Sequence, residues 1–180
     1  MPNWCNQILF INHEKKEKIE SIKEAINKDQ LLEFVFPQPK DWLSLENCDN
    51  ADERKLKNIQ LFGYPTIIDW QYATRGTKWD IIDGSTNSIR KRNKKYYLKA
   101  TYSTAWGPPY ETYEELRKTH QYNIRLYYYE PLMDYAGKYE NGINQQWVIS
   151  EGKVPKEIMS HFEEAEEEYI STMEIINNGD

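Results

Sequence analysis

Hydrophobic and polar positions along this chain switch between two periods, and each switch marks an element. Residues 7–11 are apolar on both sides of a two-residue period, with Ile8 and Phe10 on one side and Leu9 and Ile11 on the other. A strand with that pattern is central and covered on both faces. Asn12 is placed to cap a helix over 14–27, where Ile19, Ile22, Ala25 and Ile26 form one stripe among Glu and Lys. Leu32, Phe34 and Phe36 alternate with Glu33 and Val35, which predicts a second strand ended by Pro37 and Pro39.

The pattern weakens over 40–76. A helix over 52–62 would carry Leu56, Ile59 and Phe62, and Pro65 opens another that carries Ile67, Ile68 and Trp70. Residues 79–82 read as extended, and Asp83-Gly84-Ser85 as a turn. Strict alternation returns at 96–103: Tyr96, Leu98, Ala100 and Tyr102 face one way, and Tyr97, Lys99, Thr101 and Ser103 the other. Pro108-Pro109 precedes a helix over 113–120, with Thr112 and Glu115 at capping-box spacing. Residues 123–129 alternate again, Ile124, Leu126 and Tyr128 opposite Arg125, Tyr127 and Tyr129, and 145–149 predicts a further strand.

Strand, helix, strand, insertion, strand, helix, strand is the order of a ferredoxin-like split βαβ fold, an α+β arrangement whose antiparallel sheet carries both helices on one face. The expected domain spans 1–150, with an insertion at about 37–95. Beyond it, 151–180 reads as an acidic amphipathic helix from Pro155 to about Ile176, packed on the domain through Ile158, Phe162, Ala165, Tyr169, Met173 and Ile176.

Charge sharpens this division. The net charge is −6, yet 151–180 alone holds nine acids against two lysines, so the body is close to neutral. A neutral body lacks the broad basic face of a non-specific nucleic-acid binder. The 6 Trp, 14 Tyr and 5 Phe exclude a disordered chain, because they build a core from few residues. No apolar run approaches the roughly 20 residues that span a bilayer. The start, Met-Pro-Asn-Trp-Cys, has neither a basic flank nor an apolar stretch after it, so a cytoplasmic protein with free thiols at Cys5 and Cys48 is expected.

Four short segments, taken in order, resemble one family. They are Met1-Pro2-Asn3-Trp4-Cys5-Asn6, Gly76-Thr77-Lys78-Trp79-Asp80, Thr104-Ala105-Trp106-Gly107-Pro108-Pro109, and Tyr129-Glu130-Pro131 leading to Tyr135-Ala136-Gly137. Together they are similar to the YubB-type ferredoxin-like proteins of phages and conjugative plasmids. Arg75 stands where that family's pattern has an aromatic residue, and Leu132 where it has glycine. The resemblance implies the ferredoxin-like fold and a mobile-element origin, and it implies no activity.

No catalytic constellation emerges. His13, His120 and His161 lie in separate segments, no Cys or His pair has ligand spacing, and no phosphate-cradling glycine motif occurs, so neither metal nor cofactor is expected. The binding candidates fall into three groups. Arg75, Lys78 and Trp79, with Trp106 on the loop before the second helix, are able to hold an anion beside a stacked ring. Arg90, Lys91, Arg92, Lys94 and Lys95 put five positive charges into six residues, either to meet phosphates or as a solvated hairpin tip. Tyr97, Lys99, Arg125, Tyr127 and Tyr129 share the sheet face opposite the helices, where exposed rings would stack bases; the insertion or the C-terminal helix is expected to cover that face instead. The leading expectation is a monomeric, non-enzymatic phage or plasmid protein in a bacterial cytoplasm. It binds a host protein or ribonucleoprotein complex, most concretely as an inhibitor of a defence system such as CRISPR-Cas. The alternative is a nucleic-acid or nucleotide-binding module that uses the aromatic sheet face.

Overall fold

The structure, a computed structural model, describes residues 3–42, 50–162 and 167. In chain order the elements are β1 (Trp4–His13), α1 (Lys16–Asn27), α2 (Leu31–Val35), α3 (Ala51–Phe62), α4 (Ile67–Arg75), β2 (Ile82–Thr86), β3 (Arg90–Arg92), β4 (Lys95–Ala105), α5 (Tyr110–Lys118), β5 (Asn123–Glu130), β6 (Tyr135–Glu140), β7 (Ile143–Val148) and α6 (Lys156–Met159). The strands form one seven-stranded sheet in the order β2-β4-β1-β5-β6-β7, with β3 also paired to β4, and every pairing is antiparallel.

β1 is central because it is apolar on both faces. It pairs β4 from Trp4↔Ala105 to His13↔Tyr96, and β5 from Asn6↔Tyr129 to Asn12↔Asn123. Cys5, Leu9 and Ile11 face one core with Ile19, Ile22 and Ile26 of α1, Leu31 and Leu32 of α2, and Tyr113 and Leu116 of α5. Ile8 faces a second, smaller core with Tyr127, Tyr129, Ala136, Ile158 and Phe162, against which Phe10, Trp147, Ile149 and Met159 pack. Strands 7–11 and 96–102 are thus neighbours in one sheet. β6 lies over β5 with Gly137 opposite Tyr128; a Cβ on Gly137 would sit 2.2 Å from the Tyr128 ring, so only glycine lets that ring lie flat on the strand.

The expected ferredoxin-like split βαβ sheet with a long C-terminal helix is corrected. The molecule is a broader antiparallel sheet with several short helices, and two local misreadings account for much of the difference. Residues 31–35 are helix rather than strand, since the Asp80 carboxylate accepts from the first-turn amides of Leu32 at 2.9 Å and Glu33 at 2.8 Å. A cap brought in from a distant segment overrides a short alternating pattern. Residues 135–140, read only as part of a motif, form β6. At the C-terminus the described helix is the single turn of α6; Ala165, Tyr169, Met173 and Ile176, like Cys48, lie outside the described residues.

Two predicted caps also change roles. Asn12 belongs to β1, and α1 begins without a side-chain cap. Thr112 sits inside α5, and its hydroxyl donates to the Arg75 carbonyl at 3.0 Å, tying α5 to the end of α4.

One polar chain crosses the larger core. The Tyr113 hydroxyl donates to Gln7 Oε1, and Gln7 Nε2 donates to Thr104 Oγ1, which donates to the Gly107 carbonyl at 2.8 Å. Tyr102 and Tyr113 share a further hydroxyl contact of 2.8 Å. Each buried group in this chain has a partner, so it fixes the register of β1, β4 and α5 without an uncompensated polar cost.

Two outcomes follow for stability. Leu98 is 2% exposed between α1 and the sheet, so Leu98→Ala is expected to cost about 2–5 kcal/mol, read as a lower denaturant midpoint at unchanged slope. Hydrogen bonds from Arg117, Lys118 and Tyr139 hold the Glu114 carboxyl below the usual range, at about 2. A depressed carboxylate contributes stability above its unfolded value and loses it as pH falls through the folded one. Thermal midpoints of the native chain should therefore fall between about pH 5 and pH 2, and Glu114→Gln should flatten that part of the profile.

Candidate functional site

Two surfaces at opposite ends of the sheet bring together five of the candidate residues, Lys78, Trp79 and Trp106 at one and Arg90 and Tyr97 at the other. The first is built by two loops. α4 ends at Gly76, whose φ of +83° is the left-handed terminator that glycine adopts freely, and its N–H donates to the Tyr72 carbonyl at 3.2 Å. A Cβ there would also come within 3.1 Å of the Pro109 Cα, so both the left-handed φ and the close approach to the start of α5 favour glycine at this position. The turn delivers Lys78 and Trp79 to the end of β4, where Trp106 stands. The two indoles stack at 5.1 Å and 28°, and Lys78 Nζ lies 4.7 Å from the Trp79 ring centre.

Trp106 is held in place from both sides. Its N–H donates to the Asn3 carbonyl at 2.8 Å, and its carbonyl accepts from the Tyr135 hydroxyl. Its φ of +62° is a costly conformation for a large side chain, fixed by those contacts. Trp79 and Trp106 remain 38% and 37% exposed, so the stack is a surface and not a core. Arg75, at the end of α4, is unavailable to a ligand: its guanidinium is buried, pairs with Glu33 and donates to the Phe36 carbonyl.

The second surface is the open half of the face opposite the helices. Cross-strand register lays that face out in rows. Ile8 with Tyr127, and the row holding Tyr129, are roofed by the segment after β7: Phe162 stacks on Tyr129 at 5.5 Å, and His161 on Tyr127 at 4.3 Å. Tyr127 and Tyr129 are 3% and 1% exposed, so of the two readings of these rings the structure has them covered and not facing a ligand. The Tyr127 hydroxyl donates to Glu157, and burial followed by that carboxylate pushes it up to about 12.

Of the next two rows the first is partly covered, with the His161 ring 5.9 Å from Phe10, and the second is open among the described residues. Phe10 lies opposite Lys99 and Arg125, and Asn12 opposite Tyr97 and Asn123. They line a groove of about 410 Å3, closed at one side by Arg90. Arg125 is engaged by Glu140 at 2.5 Å, and Lys138 reaches the same carboxylate at 3.1 Å.

The basic segment is divided by its own hairpin. Asn93 and Lys94 both have positive φ, as a tight two-residue turn requires, and β3 and β4 run away from it. Arg90 pairs with Tyr97 and faces the groove, whereas Lys91 pairs with Tyr96 and lies 5.3 Å from that ring. Arg92 and Lys94 are exposed at the tip, and Lys95 is half-buried where β4 begins. The structure therefore joins Arg90 to Tyr97 and Lys78 to Trp79 and Trp106, and it separates both groups from Tyr127 and Tyr129. Phe10 and Asn12 were missed as groove residues, although the two-residue period of β1 already places them on the Ile8 face.

Cys5 is fully buried, and burial pushes its thiol up, which leaves it a poor nucleophile. Among the described residues no group of three or more His, Cys, Asp or Glu side chains is arranged to hold a metal ion, and no helix is long and apolar enough to cross a membrane.

Comparison with known proteins adds little. No family model matches the sequence, and no curated protein does. Among solved structures, the crystal structure of the protein api92 from Yersinia pseudotuberculosis, of the family DUF1281, is similar at 11% identity over 82% of this chain and 98% of that one, with a TM-score of 0.44.

Proposed function

We propose that this chain is a non-enzymatic binding protein that docks on a host protein through the Trp79–Trp106 surface. The observation that carries the reading is the exposed, immobilised indole stack with Lys78 over its edge. Tryptophan is enriched at the energetic centres of protein interfaces, because a large rigid ring buries much area at low entropic cost. A strained backbone fixed at Trp106 is the kind of cost that a structure carries at a working surface. The burial of Tyr127 and Tyr129 takes these two rings out of any stacking platform on the sheet face, which leaves the indole pair as the larger exposed aromatic surface.

The setting we assign is the cytoplasm of a bacterial host. The partner is a host protein, on its own or within a ribonucleoprotein complex, such as a component of a CRISPR-Cas defence system. The sequence resemblance to a phage and plasmid family supports this setting.

Affinity capture from bacterial lysate, with and without nuclease, compares the native chain with a Trp79→Ser, Trp106→Ser double variant. The native chain should retain a discrete protein after nuclease treatment. The double variant, shown by circular dichroism to be folded, should hold that protein more than about tenfold less tightly. Loss of the captured protein on nuclease treatment, or undiminished capture by the folded double variant, would sink the proposal.

A further inference from the structure

We infer that the groove at the Asn12 end of the sheet binds a nucleotide unit, with its phosphate on Arg90 and Lys99 and its base against the Tyr97 ring. This site is separate from the Trp79–Trp106 surface and does not rest on it.

Charge gives the first reason. Of the three cations that line the groove, Arg125 is neutralised by Glu140, which its guanidinium contacts through two nitrogens at 2.5 and 2.7 Å. Lys99 and Arg90 have no carboxylate within ion-pair distance among the described residues. Lys99 Nζ instead lies 5.7 Å from the Phe10 ring centre. Two uncompensated cations beside one groove on a near-neutral body form a local anion site, which attracts a phosphate without a general affinity for polyanions.

Ring placement gives the second reason. Tyr97 stands two residues from Lys99 on the same strand face and directly across from Arg90 in the β3–β4 pairing. It is 37% exposed, unlike the roofed Tyr127 and Tyr129. Free cations flanking an open ring set a phosphate contact beside a base contact, the pair of contacts that one nucleotide offers, and base–aromatic stacking tolerates any base. The carboxamides of Asn12 and Asn123, 3.3 Å apart in the same row, present donors and acceptors to the base edge. The volume of about 410 Å3 lies within the range of small-ligand pockets and fits one nucleotide rather than a duplex.

The shared chemistry has two sources, a free nucleotide or one unit of a single strand. Isothermal titration of the full chain at low salt should use AMP, UMP, uridine, inorganic phosphate and a five-nucleotide single-stranded RNA. AMP and UMP should each bind at least about tenfold more tightly than phosphate or uridine, because both halves of the site are then filled. Lys99→Gln and Tyr97→Val should each weaken AMP binding by about tenfold, with the fold checked by circular dichroism. Tighter binding of the RNA than of AMP identifies a nucleic-acid strand as the source; equal binding identifies the free nucleotide. The inference is overturned if no nucleotide binds, if phosphate binds as tightly as AMP, or if both variants bind as the native chain does.

Discussion

Burial of β1 on both faces is the constraint from which the remaining architecture follows. A strand with Leu9 and Ile11 on one side and Ile8 and Phe10 on the other cannot leave either side in water. Each face recruits its own cover. Helices α1, α2 and α5 close one side, and the chain after β7 returns across the other to lay Ile158 and Phe162 on Tyr127 and Tyr129. Among the described residues, the helices fill their side, whereas the returning segment up to Phe162 covers the Ile8 end of the opposite one and leaves the groove beside it. A ligand-sized opening thus arises from a mismatch between the length of a ten-residue strand and the reach of its cover.

Polar contacts then set how the layers meet. The chain from Tyr113 through Gln7 and Thr104 to Gly107 links helix, central strand and loop inside the larger core. Asp80 performs a comparable task at the margin, joining the start of α2 to the segment before β2. Burial pushes the Asp80 carboxyl up, and the three amides of Leu32, Glu33 and Ile81 oppose that shift, so the charge is tolerated where it is most useful as an acceptor.

The elements legible in the sequence were those whose periodicity agrees with their burial. β4 and the first half of β5 show alternation because one face of each packs under the helices while the other is partly open, β1 is apolar throughout because both of its faces meet a core, and α1 shows its stripe because one side meets the sheet. Residues 31–35 misled because five residues carry too few periods to resist a distant cap, and β6 was hidden because Gly137 interrupts its apolar pattern to admit the Tyr128 ring. For the candidate surfaces, the sequence supplied the residues but not their grouping. Lys78 and Trp79 lie 28 and 27 positions from Trp106 and meet only through the turn at Gly76. The partition of the sheet face into roofed and open rows depends on where the chain after β7 runs, which alternation does not encode.

The two surfaces stand at opposite ends of the same strand. Trp4 and Ala105 mark one end, and Asn12 and Tyr97 the other, roughly 26 Å apart at about 3.3 Å per residue. Substitutions at that separation, with no shared contacts, act on stability and binding almost independently. Selection can therefore rework the indole end while the groove end is conserved in function, and the reverse. The rigid strand is thus an insulator between two ends whose substitutions accumulate at different rates.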